Sequence, residues 1–173
     1  MEGAPRPKVA LAARWPETAL HAASVAALVA IAVVIAAAWS RLPATIAIHF
    51  DFHGRANGWG ERAWILSLPA VAAAVFVLFA VIERYFVRSP DHPSFNYPFA
   101  ISAANAERQY RLVWRLLLAL RFVFLADLAL VAMQIVAVNL GQRAALPGWT
   151  VAPLLLMTPI VLALYFVAAR RAR

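Results

Sequence analysis

Two histidines and an aspartate at alternate positions are the residues best spaced for chemistry. His49, Asp51 and His53 are each separated by one residue, and side chains at i, i+2 and i+4 of an extended strand share a face. Two imidazoles and a carboxylate are ligands that Zn²⁺ accepts, so this spacing permits a metal-dependent enzyme. Glu61 is the one further ligand nearby, and the same groups commonly bond turn backbone. We therefore favour a structural role and predict no cofactor.

Three polar side chains interrupt a later apolar stretch, at Arg121, Asp127 and Gln134. An ionised group within a bilayer costs about 2.5–3.5 kcal/mol, so it should face other helices and have a partner. Arg121 is near enough to the predicted membrane edge to reach the headgroups. Asp127 lies deeper. It either relays protons or ions in a small carrier or bonds Ser, Thr or Arg side chains of neighbouring helices, and we favour the second. Their spacing places Arg121 and Asp127 about 240° apart on a helix, so we predict no direct pair.

Composition predicts the elements that position these residues. The 173 residues are 64% hydrophobic and 14% charged, whereas a soluble domain is about 45–50% apolar and about 25% charged. We therefore predict an all-α integral membrane protein, a four-transmembrane-helix bundle within one membrane domain, residues 1–173. A span needs about 20 apolar residues. The first predicted span is longer than the apolar region of a signal peptide, so we expect it to be retained as an uncleaved helix. The predicted spans are 19–39, 63–82, 112–139 and 149–169.

The distribution of arginine predicts the orientation of the bundle. The formal net charge is +8, and no cysteine is present to bind metal or form disulfides. The basic residues concentrate in the two termini and around the loop 83–111, so these are predicted to be cytoplasmic and the loop 40–62 extracytoplasmic. Arg108, Arg111 and Arg115 share a helix face and are predicted to meet anionic headgroups, with a soluble partner as the alternative. We expect contact with the lipid bilayer and none with nucleic acid.

The loop 40–62 is the most structured of the predicted loops. Apolar and polar residues alternate strictly from Thr45 to His53, which indicates an extended strand. We expect its apolar side chains to face the helix bundle or the lipid interface, and its polar side chains to face water or a partner. The glycines that follow predict turns. Because a lone strand has unpaired edges, we expect it to pair with the loop 141–148 or with a second copy of the protein in a homo-oligomer.

The same loop contains Leu42-Pro43, His49-Phe50-Asp51, Gly54, Asn57-Gly58-Trp59-Gly60 and Arg62. This pattern resembles a known bacterial membrane domain, the domain of unknown function 1648, which stands at the front of SdpI-like immunity proteins. The resemblance runs roughly from Ser24 to Tyr85, with Ala47, Asn57 and Arg62 in place of the usual Pro, Asp and Lys. It implies a bacterial inner (plasma) membrane protein and carries no particular chemistry. The motif and candidate binding loop comprise Leu42, Pro43, His49, Phe50, Asp51, His53, Gly54, Asn57, Gly58, Trp59 and Gly60.

A segment of the predicted cytoplasmic loop resembles small members of that family. The loop 83–111 is interrupted by prolines, which predicts a compact irregular segment. It leads into a helix that Asn105 or Ser102 is placed to cap. The matching positions are Asn96, Tyr97, Pro98, Asn105, Gln109 and Tyr110.

Three functions remain open at this point. The first is a non-enzymatic membrane protein that recognises a peptide or envelope component through the loop 40–62, as an immunity or sensory protein does. The second is a small ion-coupled transporter using Asp127, and the third is a metal-dependent membrane enzyme at His49, Asp51 and His53. We favour the first. The sequence has no phosphate-binding loop and no HExxH or GxSxG motif, so an enzyme has no motif to support it.

Overall fold

The computed structural model describes residues 6–88 and 96–173. Four α-helices account for most of them: α1 (Trp15–Ala38), α2 (Ser67–Ile82), α3 (Ala106–Asn139) and α4 (Ala152–Arg171). Two strands and two short helical turns flank α2: β1 (Thr45–Phe50), β2 (Ala56–Glu61), a 3₁₀ turn (Arg62–Leu66) and a π-helical turn (Glu83–Val87). Part of the predicted loop 83–111 therefore lies outside the described residues.

All four helices are long and apolar enough to cross a membrane when the turns beside α2 are included. The most apolar of them, Arg62–Val87, has a mean hydropathy of 2.7 in its best window, yet only 11% of that window is buried. An exposed apolar surface of this extent indicates contact with lipid rather than with water. The structure confirms a mostly helical fold and indicates a multi-pass membrane protein.

Helix α3 is the centre of the bundle. It packs against α1, α2 and α4, and it contributes more buried residues than any other helix of the described chain. Its first half packs with Tyr165 and Ala169 of α4, and its second half packs with Ile31 and Ile35 of α1. A central helix of 34 residues therefore joins the two ends of the molecule. We call the end with the strands the hairpin end, and the end where α3 begins the basic end.

Helix α1 begins before the span that hydropathy predicts, at Trp15 rather than at residue 19. Glu17 accepts a hydrogen bond from the backbone nitrogen of Arg14 at 2.8 Å, which satisfies one of the donors outside the first turn. Pro16 lies in that turn, where its missing N–H is not needed. Arg14 and Glu17 therefore stabilise the start of the helix, and a hydropathy window does not detect such polar residues.

The predicted strand is part of a hairpin that closes within its own loop. β1 pairs in antiparallel fashion with β2, so the expectation that it pairs with the loop 141–148 is wrong, whereas pairing with a second copy of the protein stays a prediction. Residues 56–61 lack alternating apolar side chains, and their glycines resemble a turn in the sequence. In the hairpin only Gly54 has a positive φ, of 74°, so the single tight turn precedes Asn57 and Gly58.

The two faces of β1 do not follow the strict alternation that the sequence predicts. Ile46 and Ala47 are both buried, whereas Ile48 and Phe52 are exposed. The pairing register shifts between Ala47 and His49, and a bulge of this kind interrupts the regular alternation of side chains. The hairpin therefore buries Ala47, a residue of the predicted polar face, and presents Ile48 and Phe52 at its surface.

Candidate functional site

The turn of the hairpin is built around the carboxylate of Asp51. Its Oδ1 accepts hydrogen bonds from the backbone nitrogens of His53 and Arg55, each at 2.8 Å. The backbone nitrogen of Gly54 donates to the Asp51 carbonyl at 2.9 Å. The hydrogen bond from Arg55 is the largest influence on the pKa of Asp51, which lies below its usual range. Asp51 therefore remains ionised and is engaged by its own turn.

His49 joins the two strands through its side chain. Its Nδ1 lies within hydrogen-bonding distance of Oδ1 of Asn57, across the hairpin. Gly58 is paired with His49, and a Cβ built there would lie only 2.9 Å from the His49 Cβ. A side chain at position 58 would therefore force the strands apart, which explains the Asn-Gly pair of the motif.

The predicted metal ligands do not form one cluster. His49 is directed to Asn57, whereas the Asp51 carboxylate binds the backbone of its own turn. Across residues 6–88 and 96–173, no group of three or more His, Cys, Asp or Glu side chains is arranged to hold a metal ion. The residue types permit a metal site, but the Asp51 carboxylate that such a site needs is already bonded to the backbone of the turn.

A side chain at the end of α3 fixes the hairpin to the bundle. The amide of Asn139 accepts a hydrogen bond from Ala47 N at 2.7 Å and donates to Ala47 O at 3.2 Å. It thereby satisfies both backbone groups of one residue on the outer edge of β1, as a third strand would. Sequence reasoning missed Asn139, because it is 92 residues from its partner.

The tip and base of the hairpin are fixed as well. Leu146 N donates to Gly54 O at 2.8 Å, and a Cβ at Gly54 would lie 2.1 Å from the Leu146 carbonyl oxygen. At the base, Nη1 of Arg62 donates to the carbonyls of Trp39 and Leu42 at 3.2 and 3.3 Å. A cation binding the last carbonyls of a helix is a favourable cap, so the basic motif position holds the end of α1.

The remaining motif side chains form the outer surface of the hairpin. Phe52 is fully exposed at the turn, and Trp59 in β2 is more than half exposed. Phe50 is half-buried at the end of β1, and Pro43 is exposed before it begins. Gly60 lies beside Ile48, whose Cδ1 would be 2.8 Å from a Cβ built at the glycine. Large apolar side chains are therefore displayed on a rigid support.

Arg121 lies in a buried ionic cluster between three helices. Its Nη1 is 2.9 Å from Oε1 of Glu83, and its Nη2 is 2.9 Å from Nδ1 of His21. Its guanidinium lies 4.6 Å from the centre of the Phe76 ring, and Nε1 of Trp114 donates to Glu83 Oε2 at 3.4 Å. The side chain is fully buried, so the expectation that it extends to the headgroups is wrong: its partners lie inside the bundle.

Sequence reasoning missed the partners of Arg121, although one signal was available. Glu83 was assigned to a loop, but a buried arginine requires a carboxylate, and Glu83 is continuous with the end of α2. His21 is 100 residues from Arg121, and no local pattern connects them. A cavity of about 300 Å³ adjoins these three side chains.

Asp127 and Gln134 are buried away from that cluster. Oδ1 of Asp127 accepts a hydrogen bond from Leu154 N at 3.3 Å, in the first turn of α4. An acidic group at the positive end of a helix is favourable, so the partner is backbone rather than the expected side chains. Gln134 is also buried, and its Oε1 has no hydrogen-bond partner among residues 6–88 and 96–173.

The second motif segment joins the N-terminal residues and α4 to α3. Nε2 of Gln109 donates to Ala169 O at 2.8 Å, and the Tyr110 hydroxyl donates to Pro7 O at 3.0 Å. The Tyr97 and Tyr110 rings pack with centroids 5.2 Å apart, and burial raises the pKa of Tyr97. Asn96 and Pro98 line a surface cavity beside Tyr97.

Asn105 organises the turn that precedes α3. Its Oδ1 accepts a hydrogen bond from Ser102 N at 2.9 Å, and its Nδ2 donates to Ala100 O at 3.1 Å. These bonds fix the chain just before the helix begins at Ala106. The polar residues of this segment therefore hold elements together at the basic end.

The family resemblance is confirmed. Residues 26–73 match the family model described as "Domain of unknown function (DUF1648)", and they cover the second half of α1, the hairpin and the first turns of α2. A DUF1648 domain therefore occupies this part of the chain. No curated protein and no solved structure matches the chain.

Proposed function

From its DUF1648 domain, we propose that this chain is a non-enzymatic protein of a bacterial inner membrane that recognises a peptide or envelope component through the hairpin. The arginines at the basic end favour a cytoplasmic location for both termini. The hairpin then lies where the inner membrane meets water on its extracytoplasmic side, within reach of extracytoplasmic partners. The observation that carries the proposal is the full exposure of Phe52 at the tip of a hairpin fixed at three places.

The polar groups of the motif support recognition more than catalysis. Asp51, His49 and Asn57 are bonded within the hairpin, so they maintain its shape. Phe52, Trp59 and Ile48 remain exposed. Aromatic side chains on a rigid support contribute most of the binding energy in many interfaces, because little conformational entropy is lost when a partner binds.

The backbone of the hairpin offers a second mode of contact for a peptide. The described sheet has two strands, and Asn139 occupies the outer edge of β1. The outer edge of β2 is the one that can accept an extended peptide as a third strand. A peptide added there would lie next to Trp59, so backbone and aromatic contacts would act together.

Photocrosslinking from the hairpin tip tests the proposal. The full chain carries a photoreactive phenylalanine analogue at Phe52, and a control carries it at Leu155, an exposed position of α4. In bacterial inner membranes we expect an adduct of defined mass from position 52 and none from position 155. The adduct should disappear when Trp59→Ala is added, while the amount of membrane protein stays unchanged. Equal products from both positions, or an adduct insensitive to Trp59→Ala, would contradict recognition by the hairpin.

A further inference from the structure

The basic end contains a second cavity that the hairpin motif does not involve. It has a volume of about 670 Å³ and lies where the start of α1 and the first turns of α3 meet the end of α4. Five arginines from three segments of the chain line it: Arg14, Arg108, Arg111, Arg115 and Arg171. Such a concentration of guanidinium groups around one cavity attracts anions that balance its charge.

Carboxylates within residues 6–88 and 96–173 supply only part of that balance. Glu17 lies 2.6 Å from Arg115 and 3.5 Å from Arg111. Glu107 lies 2.9 Å from Arg14 and 3.0 Å from Arg111. In the part of the chain that the structure describes, two carboxylates thus face five guanidinium groups, which leaves a surplus of three positive charges there.

Two of the arginines are available for a ligand. Arg108 makes a single long hydrogen bond, 3.4 Å to the Ala104 carbonyl on its own helix. Within residues 6–88 and 96–173, the side chain of Arg171 makes no hydrogen bond or ion pair. Guanidinium groups bind phosphate oxygens with two parallel hydrogen bonds, so the surplus charge fits a phosphate group.

The rest of the cavity wall is apolar and faces the bilayer. Leu164 and Val167 of α4 line the cavity, and both are at least half exposed. A free phosphate ion gains nothing from such a wall, whereas a phospholipid can place its acyl chains along it. The combination of a basic cavity and a lipid-facing wall is typical of sites for anionic headgroups between membrane helices.

We propose that this cavity binds the phosphate headgroup of one anionic phospholipid, with Arg108 and Arg171 as the ligands and α4 as the acyl-chain surface. The bound lipid neutralises part of the surplus charge and joins α3 to the end of α4. The site is independent of the hairpin and of the partner proposed for it.

Lipid binding to the purified, delipidated full chain tests this proposal. Native mass spectrometry measures the affinity for phosphatidylglycerol and for phosphatidylcholine, and a thermal melt with inorganic phosphate tests the free ion. We expect one phosphatidylglycerol to bind well above phosphatidylcholine, and inorganic phosphate to leave the melting temperature unchanged. Arg108→Ala/Arg171→Ala should weaken phosphatidylglycerol binding about 30-fold. Each arginine near an anionic lipid contributes a factor of about five to the affinity, and the two factors multiply.

The matched control is Arg84→Ala/Arg170→Ala, which removes the same charge from residues that do not line the cavity. It should change the affinity by less than about twofold. Equal losses in the two double variants, equal affinity for the two lipids, or stabilisation by inorganic phosphate would each overturn the proposal. If the alanine variant fails to fold, Arg108→Lys/Arg171→Lys keeps the charge but loses the paired hydrogen bonds. Wild-type affinity in that variant would also contradict the assigned role.

Discussion

The hairpin and the buried ionic cluster use polar side chains in opposite ways. In the hairpin, Asp51 and His49 bond groups two to eight residues away, and these bonds are exposed. In the cluster, Arg121 and Glu83 bond groups 100 and 31 residues away and are buried. Exposed local bonds shape a surface at small energetic cost, whereas buried long-range pairs are costly to break. The hairpin therefore suits recognition, and the cluster sets how the helices pack.

Removing Arg121 should have the largest effect on stability. Arg121→Met leaves the Glu83 carboxylate buried without its cation, which typically costs about 3–5 kcal/mol. We expect a large fall in the melting temperature of the purified protein. Arg121→Met/Glu83→Met should recover most of it, because an apolar pair leaves no unpaired charge. If Arg121→Met alone is as stable as the wild type, the buried cluster is no more costly to break than the exposed bonds of the hairpin.

Alanine at two glycines should separate backbone strain from contact at the hairpin. Gly54 and Gly141 have nearly the same positive φ, 74° and 71°. Only Gly54 would place a Cβ against a neighbour, the Leu146 carbonyl, since nothing lies within 4 Å at Gly141. Gly141→Ala should cost about 1–2 kcal/mol of strain, and Gly54→Ala clearly more.

Hydrogen exchange distinguishes the two glycine variants locally. Gly54→Ala should speed exchange of the Leu146 amide, which bonds Gly54 in the wild type. Gly141→Ala should leave that amide protected. Equal destabilisation by the two substitutions would mean that the contact between the hairpin tip and Leu146 contributes little.

The sequence predicted the hairpin region better than the cluster, for physical reasons. Strand β1 and the turn residues lie close together in the chain, so alternation and family resemblance could locate them. Strand β2 was missed because Gly58 and Gly60 are required by close approach to β1, and such contacts leave no periodic pattern. His21 and Glu83 were missed because helix packing alone brings them to Arg121. Four helices of membrane type followed from composition, but their pairing did not.

Asn139→Ala should loosen the hairpin without affecting the cluster. It removes both hydrogen bonds to the Ala47 backbone, and unsatisfied backbone groups cost about 1–3 kcal/mol when buried. We expect faster hydrogen exchange in β1 and unchanged protection of α3 around Arg121. Gln142→Ala, an exposed change three residues away, is the control and should alter neither. Loss of protection around Arg121 would show that the two regions are coupled.

The smallest expected effect is a pH dependence of the hairpin turn. The folded pKa of Asp51 is lowered by its backbone hydrogen bonds, so its ionised form favours the folded turn. That contribution is fully present above the ordinary aspartate pKa and is lost as the pH falls through the lower, folded value. The amide signals of His53 and Arg55, which bond Asp51, should report the transition by NMR. Asp51→Asn should abolish it, and because the amide keeps one acceptor oxygen, the hairpin should persist with a weaker turn. A transition at or above the ordinary pKa would mean that the carboxylate does not hold the turn, and the shape of the hairpin would then depend on Asn139 and Leu146.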